Sequence, residues 1–435
     1  MIWRSDRRRL LLSGVAALAG PWTARAAPAG LQAAARDAWI YALAPIEFGG
    51  AFQRARTGPG LNTISHVPFL ADHTSRTVTT PNNDTLYSSA RLDLSDGPVT
   101  ITLPPAKDRY LSVALLDAYT NNFAILGTRT TPAGGPVRIM GPGHAPEPGA
   151  VVAPTPYVWA LGRTLVDGPH DLGAALAFAR RIEVSGPRRP PPPEVAPRDA
   201  PWADYFMSAD RLMRLNPPPA ADRPFLAQLG PLSLGGGFDP SRFSPADAAR
   251  IEAGVAEAKA LVRRRVNDGM LADGWFYPKP GRGDFGRDYL YRAAVALGGL
   301  ATLPRQEAMY MRAAGDGLGV FPAGQKLRLS FPPGGEPPAS AFWSLSLYEA
   351  TPEGQFYFAE NPLRRYAIGD RTPGLMRAGD GQLDIWISHQ DPGPARRANW
   401  LPAPNAPFAL VLRAYLPGPD LLEGRYRLPP LTRTG

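Results

Sequence analysis

Residues 81–87, Pro81-Asn82-Asn83-Asp84-Thr85-Leu86-Tyr87, place two amides, a carboxylate, a hydroxyl and a phenol within one turn and the start of a strand. Such a set can hold a sugar or another polar molecule. It can also offer oxygens to calcium, although its spacing matches no calcium loop. The same residues build turns unaided, because Asn and Asp side chains bond to nearby backbone amides. Two readings therefore stand side by side, a ligand site and a self-capped turn. Under the first, Asp84 and Tyr87 are candidate catalytic groups, and Asn82, Asn83 and Thr85 are candidate ligand contacts.

Asp117, the third candidate catalytic group, enters through a repeat. Ile101-Thr102-Leu103-Pro104-Pro105, Tyr110 to Ala118 and Gly127-Thr128-Arg129-Thr130 recur in order as Leu329-Ser330-Phe331-Pro332-Pro333, Phe342 to Ala350 and Gly369-Asp370-Arg371-Thr372. Each copy carries an acid just past a β run, Asp117 or Glu349, and an Arg-Thr pair, Arg129-Thr130 or Arg371-Thr372. The expected pairing is acid with arginine inside each copy, a buried ion pair that fixes a loop. A catalytic reading instead needs a raised carboxyl beside a second carboxylate, as in glycoside hydrolysis. Arg129 and Arg371 are candidate ligand contacts, as is Trp400 in the Pro-rich loop Asn399 to Pro404. Strand-spaced Trp343 and Trp386 read as core.

Other chemistries leave no trace. The five histidines form no H-x-x-H pair, so no metal ligand is assigned. No G-x-S-x-G elbow or phosphate loop is present, and no dinucleotide-binding fingerprint and no cofactor are assigned. With no cysteine in the chain, thiolate metal sites and a cysteine nucleophile are excluded.

The elements that must position these groups are mainly short strands. A helix is expected over Leu31 to Arg56, interrupted near Pro45. Alternating runs from Thr77 to Thr130 and Val158 to Leu165, with a helical return at Asp171 to Arg181, predict a first β-sandwich. Pro187 to Pro201 and Pro217-Pro218-Pro219 read as extended linker. Ser244 as N-cap, Pro245, Asp247 and the stripe Ile251, Val255, Ala258, Val262 and Val266 predict a helix stopped by Asn267-Asp268-Gly269. Helical stretches are also expected at Asp288 to Leu297 and Pro304 to Arg312. The β pattern returns from Val320. The fold class is thus mainly β with helical insertions: two jelly-roll-like antiparallel β-sandwich domains joined by a small helical module. The boundaries are 1–26 leader, 27–186 N-terminal helix and first sandwich, 187–243 Pro-rich linker, 244–315 helical module and 316–435 second sandwich.

The leader rests on Arg7-Arg8-Arg9 ahead of the apolar run Leu10 to Ala19, with Ala24-Arg25-Ala26 as a small-x-small cleavage site. It reads as a twin-arginine export signal, with an ordinary secretory signal as the competitor. The run is shorter than the ~20 residues of a membrane span. Formal charge is +9, of which the leader carries about half, so nucleic acid is not an expected partner.

The motifs resemble two bacterial families. Pro81 to Tyr87, Asp117-Ala118-Tyr119-Thr120-Asn121, Gly127-Thr128-Arg129 and Gly162-Arg163-Thr164 resemble the domain of unknown function DUF1254. Phe285-Gly286, Asp288-Tyr289-Leu290, Arg292-Ala293, Phe342 to Leu345, Asn361-Pro362, Arg365 to Thr372, Asp380-Gly381 and Asn399 to Pro404 resemble DUF1214 and its approach. Leu300-Ala301-Thr302 departs from the Ala-Asn usual there. The resemblance implies two β-rich domains in an exported or envelope protein, and assigns no reaction.

These readings converge on a periplasmic protein that binds a small polar molecule or saccharide between two β domains. Carboxylate acid/base hydrolysis is the reaction such a site would support. The alternative is a noncatalytic envelope or assembly module using its loops as a protein interface. No membrane span is expected after leader removal, and homo-oligomerisation is left open.

Overall fold

The computed structural model describes residues 30–434 except 54, 55, 57, 59, 146, 266–268 and 353. The leader expected at 1–26 and the helix stop expected at Asn267-Asp268 lie outside the described residues. In chain order, α1 (Leu31–Gln53) precedes β1 (Ile64–His66), β2 (Thr85–Asp93), β3 (Val99–Leu103), β4 (Leu111–Leu116), β5 (Asn122–Gly127), β6 (Gly135–Met140), β7 (Val151–Val152) and β8 (Tyr157–Leu165). Then come α2 (Leu172–Ala179), β9 (Glu183–Ser185), α3 (Trp202–Leu215), α4 (Arg223–Leu226), α5 (Pro245–Arg264), β10 (Gly269–Ala272), β11 (Trp275–Pro278) and α6 (Tyr289–Gly299). The chain closes with β12 (Ala308–Ala313), β13 (Leu327–Phe331), β14 (Ala339–Ala350), β15 (Phe356–Tyr357), β16 (Ala367–Gly369), β17 (Leu383–Ser388), β18 (Trp400–Pro402), β19 (Phe408–Pro417), α7 (Pro419–Leu422) and β20 (Thr432–Arg433).

Period-two burial makes the two sandwiches. Val99, Ile101 and Leu103 point into the first core, and Leu327, Leu329 and Phe331 into the second, with partly exposed residues between them. The first sandwich faces the sheet β1-β2-β8-β4-β5 with the sheet β7-β6-β3-β9. The second faces β10-β11-β12-β19-β14-β15, with β16 also on β14, with β18-β17-β13-β20.

The pairings correspond strand for strand. β4 lies between β8 and β5, as β14 lies between β19 and β16. β3 lies between β6 and β9, as β13 lies between β17 and β20. The repeat read from sequence is therefore a repeat in topology. One pairing in each half, β6 with β7 and β17 with β18, is parallel, so the sheets are not wholly antiparallel.

Gly127 and Gly369 mark the shared register. Gly127 pairs with Ser112 and Gly369 with Ser344. A Cβ on either glycine would sit 2.1 Å from a backbone carbonyl, that of Leu111 or of Trp343. Gly369→Ala is expected to destabilise the fold by about 3 kcal/mol, because the clash is with backbone and cannot be relieved by a rotamer change. Urea unfolding measures it; a loss below about 1 kcal/mol would show that β16 simply shifts away.

The remaining helices form a layer beside the sandwiches. α1 packs against α3, α5 and α6, and this layer shares one core with Ala114, Leu116, Trp159 and Leu161 of the first sandwich. α5 begins in a capping box, with Ser244 accepting from the Asp247 amide and Asp247 from the Ser244 amide. Ile251, Val255, Ala258 and Val262 are its buried stripe.

Four expectations are corrected. Pro45 lies inside α1 without ending it; most of the helix is buried, and that packing offsets the ~3 kcal/mol a helical proline costs. The presumed linker 187–243 contains α3 and α4, which bury Tyr205, Phe206, Leu212, Met213 and Phe225 in the helical core. Only its prolines spoke for extended chain. The helix expected over Pro304 to Arg312 is replaced by strand β12 between β11 and β19, with alternate residues Met309, Met311 and Ala313 in the core of the second sandwich and Ala308 buried on the opposite face. The second sandwich thus takes β10, β11 and β12 from the segment 244–315 assigned to helices. No helix among the described residues is long and apolar enough to cross a membrane.

Candidate functional site

A cavity of about 560 Å³ lies between the two sandwiches, within the usual size of a small-molecule site. β2 contributes Tyr87 and Ser89, β8 contributes Trp159, Leu161 and Arg163, and the approach to β2 contributes residues 77–82. From the other half, β12 contributes Tyr310 and Arg312, β19 contributes Val411, Arg413 and Tyr415, and the end of α6 contributes residues 296–302.

The wall is strongly basic. Arg91, Arg163, Arg198, Arg282, Arg312 and Arg413 line it, and Glu47, 3.1 Å from Arg198, is the one carboxylate among the described lining residues. Arg163 is 5% exposed, donates to the Ala301 carbonyl at 2.7 Å and lies 5.5 Å from the centre of the Tyr87 ring. Its Nη1 is buried with no hydrogen-bond partner among the described residues. Ala301 adopts a left-handed backbone, φ 60°, which turns that carbonyl at the cavity edge. Arg413 is 4% exposed and donates to Ser346 Oγ at 2.7 Å and the Thr80 carbonyl at 3.1 Å. Arg282 donates to Thr302 Oγ1 at 2.8 Å and stacks on Tyr310 at 5.5 Å. The Tyr415 hydroxyl accepts from Asn82 Nδ2 at 2.6 Å. Burial holds the Tyr415 phenol far above its ordinary pKa, so it is a neutral donor or acceptor.

Of the residues singled out by sequence, Asn82 and Tyr87 line this cavity. Asn83, Asp84 and Thr85 stand behind it. Asn83 donates to the Ala71 carbonyl at 2.5 Å, and Asn82 Oδ1 accepts from the Asp84 amide at 2.6 Å, so turn chemistry is present. Asp84 Oδ2 accepts from Ser344 Oγ of the other sandwich at 2.7 Å. Thr85 is buried and its hydroxyl has no partner among the described residues. Asp84 does have a second carboxylate near it. Asp370 is pushed up to about 6, first by burial, against the Arg371 guanidinium and with repulsion from Asp84. Neither lines the cavity.

Asp117 lies elsewhere. It closes its own turn, accepting from the Tyr119 amide and the Asn121 amide, both at 2.9 Å. Burial pushes its carboxyl up to about 6, against the hydrogen bonds from Asn121 and the charge of Arg292. Between the unfolded value near 4 and about 6 the folded chain keeps this proton. The contribution, on the order of 3 kcal/mol, is present below about pH 4 and is lost as pH rises through about 6. Asp117→Asn is expected to remove that slope, seen in urea unfolding near pH 4 and pH 7. An unchanged slope would assign it to other groups such as Asp370.

The expected pairings, Asp117 with Arg129 and Glu349 with Arg371, are not found among the described residues. Arg129 pairs with Glu307 at 2.7 Å, and Arg371 with Asp370 at 3.2 Å and Asp167 at 3.5 Å. Arg129–Glu307 and Arg371–Asp167 each join one sandwich to the other. Trp400 is 3% exposed, its indole N–H donating to the Ser388 carbonyl at 2.9 Å. It pairs with Trp386 in a sheet and offers no surface for a partner.

Sequence reading missed Arg163 and Arg413 as site residues. The signal was a lone charge inside an apolar run on a central strand, Val158 to Leu165 and Phe408 to Tyr415. Such a charge is costly unless something needs it there.

Residues 61–186 match the family described as protein of unknown function (DUF1254), and residues 307–419 match that described as protein of unknown function (DUF1214). A crystal structure of the VPA0106 protein from Vibrio parahaemolyticus is similar over 93% of this chain and 100% of that one, with a TM-score of 0.68 and 22% identity, a likeness of fold. A crystal structure of an uncharacterized protein from Burkholderia cenocepacia overlaps 87% of this chain and 84% of that one at a TM-score of 0.45 and 13% identity. No curated protein matches the chain.

Proposed function

We propose that this chain, a DUF1254 domain followed by a DUF1214 domain, binds a small, negatively charged polar molecule in the cavity between its sandwiches. The observation that carries this reading is that, among the described residues, six arginines and a single glutamate line the wall, with Arg163 buried and one of its nitrogens unpartnered. A buried guanidinium is costly in the empty protein, and an oxyanion would relieve the cost through paired N–H donors. The rings of Tyr87, Trp159 and Tyr310 suit the body of a saccharide or another flat molecule, and the charge selects an acidic one. Binding is the function proposed. Hydrolysis by two carboxylates would need an acid pair in the wall, and Asp84, Asp370 and Asp117 lie outside it. Native mass spectrometry of protein purified from periplasm is expected to show a retained small anion. Bare protein that gains no thermal stability from a library of organic acids would overturn the reading.

The arginines at 7–9 ahead of the apolar run Leu10 to Ala19 support a periplasmic setting for this binding, reached by the twin-arginine route. Lysine at positions 7, 8 and 9 is expected to leave unprocessed precursor in the cytoplasm. Undisturbed processing would favour the general secretory route.

A further inference from the structure

The two buried arginines occupy the same place in the two sandwiches. Arg163 on β8 lies opposite Ser112 on β4 and Tyr87 on β2. Arg413 on β19 lies opposite Ser344 on β14 and Tyr310 on β12. Ser112 and Ser344 are the residues facing Gly127 and Gly369, so the Ser-Arg-Tyr row is fixed to the repeat independently of the cavity. Two residues earlier on the same strands, Leu161 and Val411 also correspond, and both line the cavity. The hollow is therefore walled from two sides by one motif used twice. Tyr415 stands where both rows meet, in electrostatic contact with Arg163, Arg413, Tyr87 and Tyr310.

We infer that the molecule held here carries two acidic groups, one received by Arg163 with Tyr87 and the other by Arg413 with Tyr310. This rests on the reading above. A guanidinium fork fits the two oxygens of a carboxylate, and the phenol beside it supplies a further donor. Leu161, Val411 and Trp159 lie along the same wall and suit a short apolar body between the heads. Neither arginine has a carboxylate of the protein within ion-pair distance among the described residues, although Asp84 acts on Arg413 from farther off. The class is an organic dicarboxylate, linear or on a ring.

The test is calorimetric titration of the full mature protein with linear α,ω-dicarboxylates from succinate to sebacate, each beside the monocarboxylate of equal length. The expected result is a maximum in affinity at one chain length, where the dicarboxylate binds at least about tenfold tighter than its monocarboxylate. Arg163→Gln and Arg413→Gln are each expected to shrink that preference to within about threefold. The comparison within wild-type protein stands even where a variant fails to fold. Monocarboxylates binding as tightly as dicarboxylates would overturn the two-headed ligand while leaving an anion site. A retained compound with one acidic group in the native mass spectrum would do the same. Absence of binding in both series, together with bare protein in the native spectrum, would overturn the site itself.

Discussion

Glu307→Ala is expected to lower the free energy of unfolding by about 4 kcal/mol. Glu307 is fully buried, receives the Tyr110 hydroxyl on one oxygen at 2.8 Å and Arg129 Nε on the other at 2.7 Å. Tyr110 is itself 4% exposed, so its hydroxyl would be left without an acceptor away from water, at about 1–3 kcal/mol. Arg129 is partly exposed and recovers some hydration, which limits its share. Burial and the neighbouring glutamate already hold the Tyr110 phenol well above its ordinary pKa, so ionisation offers no escape. Glu307→Gln keeps one acceptor and the packing, and is expected to cost about 2 kcal/mol. Urea unfolding followed by tryptophan fluorescence measures both. An alanine variant within about 1 kcal/mol of wild type would mean that the sandwiches hold together without this clamp.

The position of Glu307 explains how much could be read in advance. It stands just before β12 as Asp84 stands just before β2, since Tyr87 and Tyr310 hold matching register. Each acid reaches across to the other sandwich, Asp84 to Ser344 and Glu307 to Tyr110 and Arg129. The repeat was legible where contact is tightest: the Gly-x-Arg-Thr turns, in which a side chain on the glycine would meet backbone, and the strands that follow Pro-Pro. It was not legible at β2 and β12, because Asp84-Thr-Leu-Tyr87 and Glu307-Ala-Met-Tyr310 share only the acid and the tyrosine. The signature 81–87 therefore looked unique and drew attention to its carboxylate. Its tyrosine and first asparagine face the cavity, while the carboxylate holds the two halves together. Periodicity gave α5 and α6, and α1 apart from the break expected at Pro45, whereas the flanking prolines hid α3, which packs on Trp39 of α1 through Tyr205.

The same duplication yields an opposite-sign comparison in the ligand-free protein. Arg163→Met is expected to leave stability unchanged or to raise it by about 1 kcal/mol. Methionine fills a similar volume and removes a buried charge whose strongest neighbours are tyrosines. The loss is one bond to the Ala301 carbonyl and a ring contact with Tyr87. Arg413→Met is expected to lower stability by about 3 kcal/mol, because it strands the Ser346 hydroxyl and the Thr80 carbonyl and leaves the buried Asp84 without the cation that faces it. On these expectations the two arginines at one topological position differ in what the fold asks of them. For Arg413 the fold alone is reason enough. For Arg163 it is not, and under the proposed function an acidic ligand in the cavity supplies the reason. Equal losses for the two variants by urea unfolding would remove that distinction, since Arg163 would then be justified by structure in the same way as its counterpart.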